Sequence, residues 1–197
     1  MRVITGSLKG RRLETPSWEG LRPTSDKLRE TLFNVLGPRV AGARVLDGYA
    51  GTGAVGIEAI SRGAAHVAFV ESDRRAQALI ARNLAHCGIV GGYVLVRDTL
   101  ARALRRLRPE PPEPREPPGP FEPLVPFDIV FLDPPYDEDA TSVLEAVGAS
   151  VGAIKSGGLV VLEHARRRRP PAQAGSLQLT RVIESGDSAL AFYLCRP

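Results

Sequence analysis

The sequence predicts an α/β protein: an open, doubly wound, mostly parallel sheet of seven strands, ending in an antiparallel C-terminal hairpin and preceded by a small β-hairpin and helix. Three observations predict it. From residue 43 onward, short apolar runs alternate with stretches whose apolar residues recur at helical spacing, the pattern of parallel strands covered on both faces. The first apolar run leads into a glycine-rich turn, Asp47-Gly48-Tyr49-Ala50-Gly51-Thr52-Gly53. Acidic residues recur where apolar runs end, at the edge where an open α/β sheet collects its ligands.

Residues 1–15 read as a β-hairpin, with strands 2–5 and 11–14 flanking the turn-prone Gly6-Ser7-Leu8-Lys9-Gly10. An extended Arg22-Pro23-Thr24 leads to Ser25 or Asp26 as N-cap; Leu28, Leu32, Val35 and Leu36 share one helical face, and Gly37-Pro38 stops that helix. Residues 44–47 form the first buried strand, 54–62 a helix ended by Gly63, and 66–71 the second strand. Residues 73–87 form a helix with Ala76, Ile80, Leu84 and Cys87 on one face, and 93–97 the third strand. Leu100, Leu104 and Leu107 mark the next helix, and 127–132 the fourth strand. Val143, Leu144, Val147, Val151 and Ile154 predict a helix, followed by a fifth strand at 159–163. Segments 177–184 and 189–195 pair around Ser185-Gly186-Asp187-Ser188, since no helical pattern separates them.

Residues 108–126 break the alternation. They hold nine of the chain's 17 prolines, interleaved with Glu and Arg, and read as an extended or disordered surface insertion. The organisation is thus an N-terminal extension at 1–40 and a main domain at 41–197 carrying this insertion. The extension is an RNA-binding and cofactor-lid candidate.

A chain of 197 residues with 43% hydrophobic content suits one domain with an extension. No window approaches about 18 consecutive apolar residues, and the N-terminus lacks the apolar core of a secretory signal. Two cysteines make neither a disulfide scaffold nor a four-ligand zinc site. The expectation is a cytoplasmic, reduced, metal-free monomer without a membrane partner. The net charge of +4 is accounted for by residues 1–40, with eight basic side chains against four acids. Such end-loading points to a polyanionic partner, most plausibly nucleic acid.

Gly51, Gly53 and Gly56 satisfy GxGxxG, and Glu71 lies 20 residues beyond Gly51, where a dinucleotide site places its ribose-binding acid. Asp47 argues against a dinucleotide, because its carboxylate would face a pyrophosphate docked on the helix N-terminus. S-adenosyl-L-methionine reverses that electrostatics, being phosphate-free with a cationic sulfonium and an ammonium. Glu71 would then accept the ribose hydroxyls and Asp98 the adenine amino group. Structurally, the same acids could merely cap helices and the same glycines serve strand–helix packing.

The fourth strand ends in Asp133-Pro134-Pro135-Tyr136. Successive prolines hold the backbone extended, which can aim the Asp133 side chain and the Pro134 carbonyl at one amino group while Tyr136 stacks on a base. An exocyclic amine is a poor nucleophile because its lone pair is delocalised. Two acceptors on its protons favour pyramidalisation and direct that lone pair at a methyl group.

With these motifs the sequence resembles the Rossmann-like class I methyltransferases bearing a D/N-P-P-Y/F signature, and within them the RsmD family of bacterial 16S ribosomal RNA guanine-N2 methyltransferases. Arg2-Val3-Ile4-Thr5-Gly6, Lys9-Gly10-Arg11-Arg12-Leu13, Leu21-Arg22-Pro23-Thr24, Arg29-Glu30-Thr31-Leu32-Phe33-Asn34, the stretch from Asp47 to Ala59 and Gly186-Asp187-Ser188 carry the resemblance. It implies S-adenosyl-L-methionine as cofactor, with Asp47, Gly48, Ala50, Gly51, Thr52, Gly53, Glu71, Ser72, Asp98 and Asn34 around it. It implies Asp133, Pro134, Pro135 and Tyr136 at the reacting amine, which would be N2 of guanine 966. It also implies 16S rRNA or the assembling small ribosomal subunit as partner, contacted by Arg2, Lys9, Arg11, Arg12, Arg22 and Arg29. Alternatives are DNA adenine or a protein glutamine amide as acceptor and, further off, an NAD-linked oxidoreductase or a non-catalytic RNA-binding module.

The chain departs from the family pattern at the proline-rich insertion, and at 166–174, where the family usually has a helix and this sequence reads as basic, proline-containing loop. The four arginines at 166–169 read first as a solvated loop, with RNA contact as the alternative. His164 reads as a structural histidine, and neither Cys87 nor Cys195 has a neighbour that would make it a nucleophile.

Overall fold

A computed structural model describes residues 1–18, 24–106, 126–135, 138–150 and 152–196. Arg22, Tyr136, Leu107, Val151 and all but the last residue of the proline-rich insertion lie outside the described residues. One sheet contains β1 (Arg44–Asp47), β2 (His66–Val70), β3 (Tyr93–Val96), β4 (Phe127–Leu132), β5 (Ile154–Ala165), β6 (Gln173–Ala174), β7 (Leu177–Ser185) and β8 (Ser188–Cys195). Their order is β3-β2-β1-β4-β5-β8-β7-β6. The first five run parallel, and β8 and β7 return antiparallel. The helices are α1 (Asp26–Leu36), α2 (Ala54–Ser61), α3 (Arg74–His86), α4 (Leu100–Arg106) and α5 (Ala140–Gly148).

Chain direction across the sheet reverses between β1 and β4, which are hydrogen-bonded neighbours. This is the switch point where strand ends diverge and leave a crevice. Apolar side chains fill both faces of the sheet. Val45, Phe69, Phe131 and Val161 face one cluster, and Leu46, Val70, Leu132 and Leu162 the other. Val3, Leu13, Leu28, Leu32 and Phe33 join the first cluster, so the N-terminal segment shares its core with the sheet.

The local chemistry follows the sequence closely at the helix starts. Ser25 caps α1 by accepting from Leu28 N, Asp73 caps α3 by accepting from Arg75 N and Ala76 N, and Asp139 caps α5 by accepting from Ser142 N. The β7–β8 loop is Gly186-Asp187, with φ +63° at the glycine alone, the sign pattern of a type II′ hairpin turn.

Three predicted elements differ. The sheet has eight strands rather than seven, because Gln173–Ala174 adds to β7 at the edge; two residues are too few to leave an alternating signal. Ile154, spaced as if on a helix with Val147, is instead the first residue of β5 and pairs with Phe127, while α5 ends at Gly148. Apolar spacing alone does not separate a helix end from the start of a buried strand. The N-terminal hairpin contains a single bridge, Arg2 to Arg12. Its first strand has other partners for its backbone: Ile4 N and Thr5 N donate to the Glu58 carboxylate of α2, at 2.7 and 3.0 Å.

Helix α2 explains that arrangement. All but one of its eight residues are buried, so it needs cover on the side away from the sheet. On the sheet side, a Cβ at Gly56 would lie 2.2 Å from Phe69 Cε1, so the helix approaches β2 closely only because that position is glycine. On the other side the N-terminal segment lies across it, held by Glu58 and by Ser61, whose carbonyl accepts from Ser7 N and whose Oγ accepts from Leu8 N. Among the described residues no helix is long and apolar enough to cross a membrane, and Cys87 and Cys195 are buried free thiols.

Candidate active site

The carboxyl ends of β1, β2, β4 and β5 open into a cleft of about 870 Å³. After Asp47, Gly48 N donates to Phe131 O of β4 and Ala50 N to Val70 O of β2, both at 2.9 Å. The turn therefore straddles the switch point. Gly51 and Gly53 take φ +54° and +77°, a region that side chains with a Cβ adopt at a cost. Gly53 thereby turns the chain into α2 as its N-cap.

Asp47 is 1% exposed and its Oδ2 accepts from Gly56 N at 3.0 Å. Burial pushes its carboxyl up to about 7, against the Gly56 hydrogen bond that lowers it and with a further push from Glu71. Glu71 is held by the backbone on both oxygens: Oε2 accepts from Gly51 N at 2.9 Å and Oε1 from Asp73 N at 2.8 Å. Asp98, at the end of β3, accepts from Thr99 N at 2.9 Å and lies 3.8 Å from the Arg102 guanidinium. Asp133 follows β4, and Thr24 Oγ1 donates to its Oδ2 at 3.4 Å.

The raised Asp47 value has a consequence for stability. A carboxyl more basic in the folded than in the unfolded state contributes stability that is full below its ordinary range and is lost as pH rises through about 7. The ligand-free protein is expected to lose stability between pH 4 and 7 relative to Asp47→Asn, whose amide oxygen still accepts from Gly56 but does not ionise. Urea midpoints of both proteins across pH 4 to 8 check this; parallel curves would rule it out.

Of the residues expected around a cofactor, Asp47, Gly48, Ala50, Gly51, Thr52, Glu71, Ser72 and Asp98 line the cleft, and so do Asp133, Pro134 and Pro135. Gly53 shapes the turn without lining it. Asn34 is corrected: it is exposed on α1 and does not line the cleft. Only the first turn of α1 reaches the cleft, through Lys27 and Leu28, and at 1.5 Å rise per residue Asn34 lies about 9 Å further along.

Arg29 is corrected as well. Expected at RNA phosphates, it is 0% exposed; its guanidinium donates to the Arg2 carbonyl and to Asp26 Oδ1 and lies 4.0 Å from Glu58. Arg2, Lys9, Arg11 and Arg12 are exposed, but none lines the cleft. The hairpin tip sits by Ser61 at the end of α2, and Arg11 donates to His86 O at the end of α3, both at the opposite edge of the sheet from the cleft.

Several residues lining or supporting the cleft are not singled out by the sequence. Trp18 lines the entrance, with the Arg75 guanidinium 5.1 Å from its ring centroid. Buried Asn83 joins that segment to the glycine turn, accepting from Glu14 N at 2.7 Å and donating to Thr52 O at 2.9 Å. Tyr49 bonds Glu138, and burial first, then this carboxylate, pushes its hydroxyl above the ordinary range. Glu163, two residues before the end of β5, lies level with Asp133, since Leu132 and Leu162 are in register. The strand-end rule that found Asp47, Glu71 and Asp98 extends to Glu163; Trp18, Asn83 and Tyr49 left no such signal.

Strand order and the acidic glycine turn place the chain among Rossmann-like proteins of the methyltransferase class. The family described as "Conserved hypothetical protein 95" matches residues 1–194, and the chain belongs to it, the RsmD family. It is 36% identical to YlbH of Bacillus subtilis over 193 residues, 98% of each chain. It is 31% identical to ribosomal RNA small subunit methyltransferase D of Escherichia coli K12, over 98% of this chain and 89% of that one. The solved structure of yhhF from Escherichia coli superposes with a TM-score of 0.80 at 28% identity, covering 100% of this chain and 98% of the other.

Proposed function

We propose that the chain transfers a methyl group from S-adenosyl-L-methionine to the exocyclic N2 amine of a guanine in small-subunit ribosomal RNA, position 966 by family resemblance. The observation that carries this reading is the meeting, across the β1–β4 switch point, of the glycine turn after Asp47 with the Asp133-Pro134-Pro135 segment after β4, in one cleft. Family membership supports ribosomal RNA as the substrate.

The donor set suits the cofactor. Among the described residues, eight carboxylates line the cleft against two cations, Lys27 and Arg75, a field that favours a cationic ligand and opposes a pyrophosphate. Glu71, immobilised by the two backbone N–H groups, keeps lone pairs for the ribose hydroxyls, Asp98 would take the adenine amino group, and Asp47 favours the cationic end. The cofactor supplies an electrophilic methyl group on a good leaving group. Asp133 Oδ and the Pro134 carbonyl hold the amine's two protons and orient its lone pair, so the protein's contribution is chiefly positioning. The target base enters unpaired, because its N2 edge is inaccessible in a duplex, and Tyr136 would stack on it.

Labelled methyl transfer to unmodified small subunits, naked rRNA and duplex DNA tests the reading. Label recovered as N2-methylguanosine from the subunits or rRNA is the expected result. Label in adenine, or in protein glutamine, would overturn the acceptor; absence of cofactor binding would overturn the chemistry.

A further inference from the structure

An acidic cleft creates a difficulty for a polyanionic substrate. The field that attracts a sulfonium repels the phosphates that flank the target base, and the basic residues of the N-terminal hairpin tip sit at the far edge of the sheet. Cations are needed at the mouth of the cleft itself. The connection between β5 and β6 supplies them, with Arg166, Arg167, Arg168 and Arg169 all exposed.

This connection borders the cleft. Arg166 N donates to Asp187 O at 2.8 Å, and Asp187 lines the cleft, as does Glu163 just before the connection. The backbone is pinned at several points. Arg168 N donates to Ala165 O, Leu179 N to Ala172 O, and Tyr193 Oη to Pro171 O, each at 2.9 Å. Pro170 and Pro171 restrict it further. Arg166 is paired with Glu184 at 2.8 Å, whereas no carboxylate among the described residues pairs with Arg167 or Arg169.

We infer that this arginine connection is a phosphate-binding rim of the cleft, with Arg167 and Arg169 contacting the RNA backbone beside the flipped base. The inference rests on the function proposed above. A cationic loop joined to the cleft through Arg166 and Asp187 offsets the repulsion of the cleft acids where the strand must come closest, an effect that salt screens.

The test compares the full chain with Arg167→Gln/Arg169→Gln and Arg167→Lys/Arg169→Lys, measuring rRNA binding against NaCl concentration, methyl-transfer KM and kcat, and cofactor affinity. The Gln pair is expected to weaken rRNA binding about tenfold near 0.1 M salt and to lower the log–log salt slope by about 1.5, as loss of two phosphate contacts requires. KM for RNA should rise in step, with kcat and cofactor affinity within twofold, and the Lys pair should restore the slope. An unchanged slope and KM in the Gln pair would overturn the rim and leave the function standing. If the unaltered chain methylates no RNA, the function falls and the rim falls with it.

Discussion

Asp133→Ala is expected to lower methyl transfer by on the order of 10³-fold, the scale on which removal of a preorganised polar group acts at a developing charge. Cofactor affinity should stay within about twofold, because Asp133 follows β4 whereas the residues assigned to the cofactor follow β1, β2 and β3. Equilibrium binding of the cofactor together with single-turnover transfer checks both halves. Equal losses in the two would contradict the separation of roles. Asp133→Asn divides the acceptor role from a proton-acceptor role: an amide oxygen still holds one amine proton, so turnover well above the Ala variant is expected if gripping the amine is what matters.

Glu58→Ala carries the largest expected loss of stability. Glu58 is fully buried and receives Ile4 N, Thr5 N and Arg62 Nε at 2.7, 3.0 and 2.8 Å, with the buried Arg29 guanidinium 4.0 Å away. Removing it leaves Ile4 N, Thr5 N and Arg62 Nε without that acceptor and takes the counter-charge away from buried Arg29. Breaking a buried pair from one side costs about 3–5 kcal/mol, which for a chain of this size lowers Tm by on the order of 10 °C. The N-terminal segment should loosen first, so trypsin should cut at Arg11 and Arg12 faster in the variant while the sheet persists. A Tm within 3 °C of the unaltered chain, with unchanged cleavage, would show that apolar packing of Val3 and Leu13 holds the segment without Glu58.

The parts legible in the sequence are those whose signal is local. Strand–helix alternation, the Ser25, Asp73 and Asp139 caps, the Gly186-Asp187 turn and the acids at the ends of β1, β2 and β3 each depend on residues within a few positions of one another. For the same reason the cleft was largely readable: its glycine turn and its Asp133-Pro134-Pro135 segment are contiguous motifs, and the parallel sheet necessarily brings strand ends to one edge.

What only the tertiary structure decided involves charges and segments whose environment is set by distant partners. Arg29 reads as a surface cation until α1 folds over the N-terminal segment, where the Arg2 carbonyl and Asp26 accept from its guanidinium and the Glu58 carboxylate lies 4.0 Å away. Lys9 and Arg11 belong to a basic N-terminus by composition, yet Ser61 and His86 anchor them at the far edge of the sheet. The arginines at 166–169 look like a solvated run until the hydrogen bond from Arg166 N to the Asp187 carbonyl places their connection beside the cleft. Composition records how much charge a chain carries. Where that charge acts is determined by desolvation and by hydrogen bonds between residues far apart in sequence, and these exist only once the chain has folded.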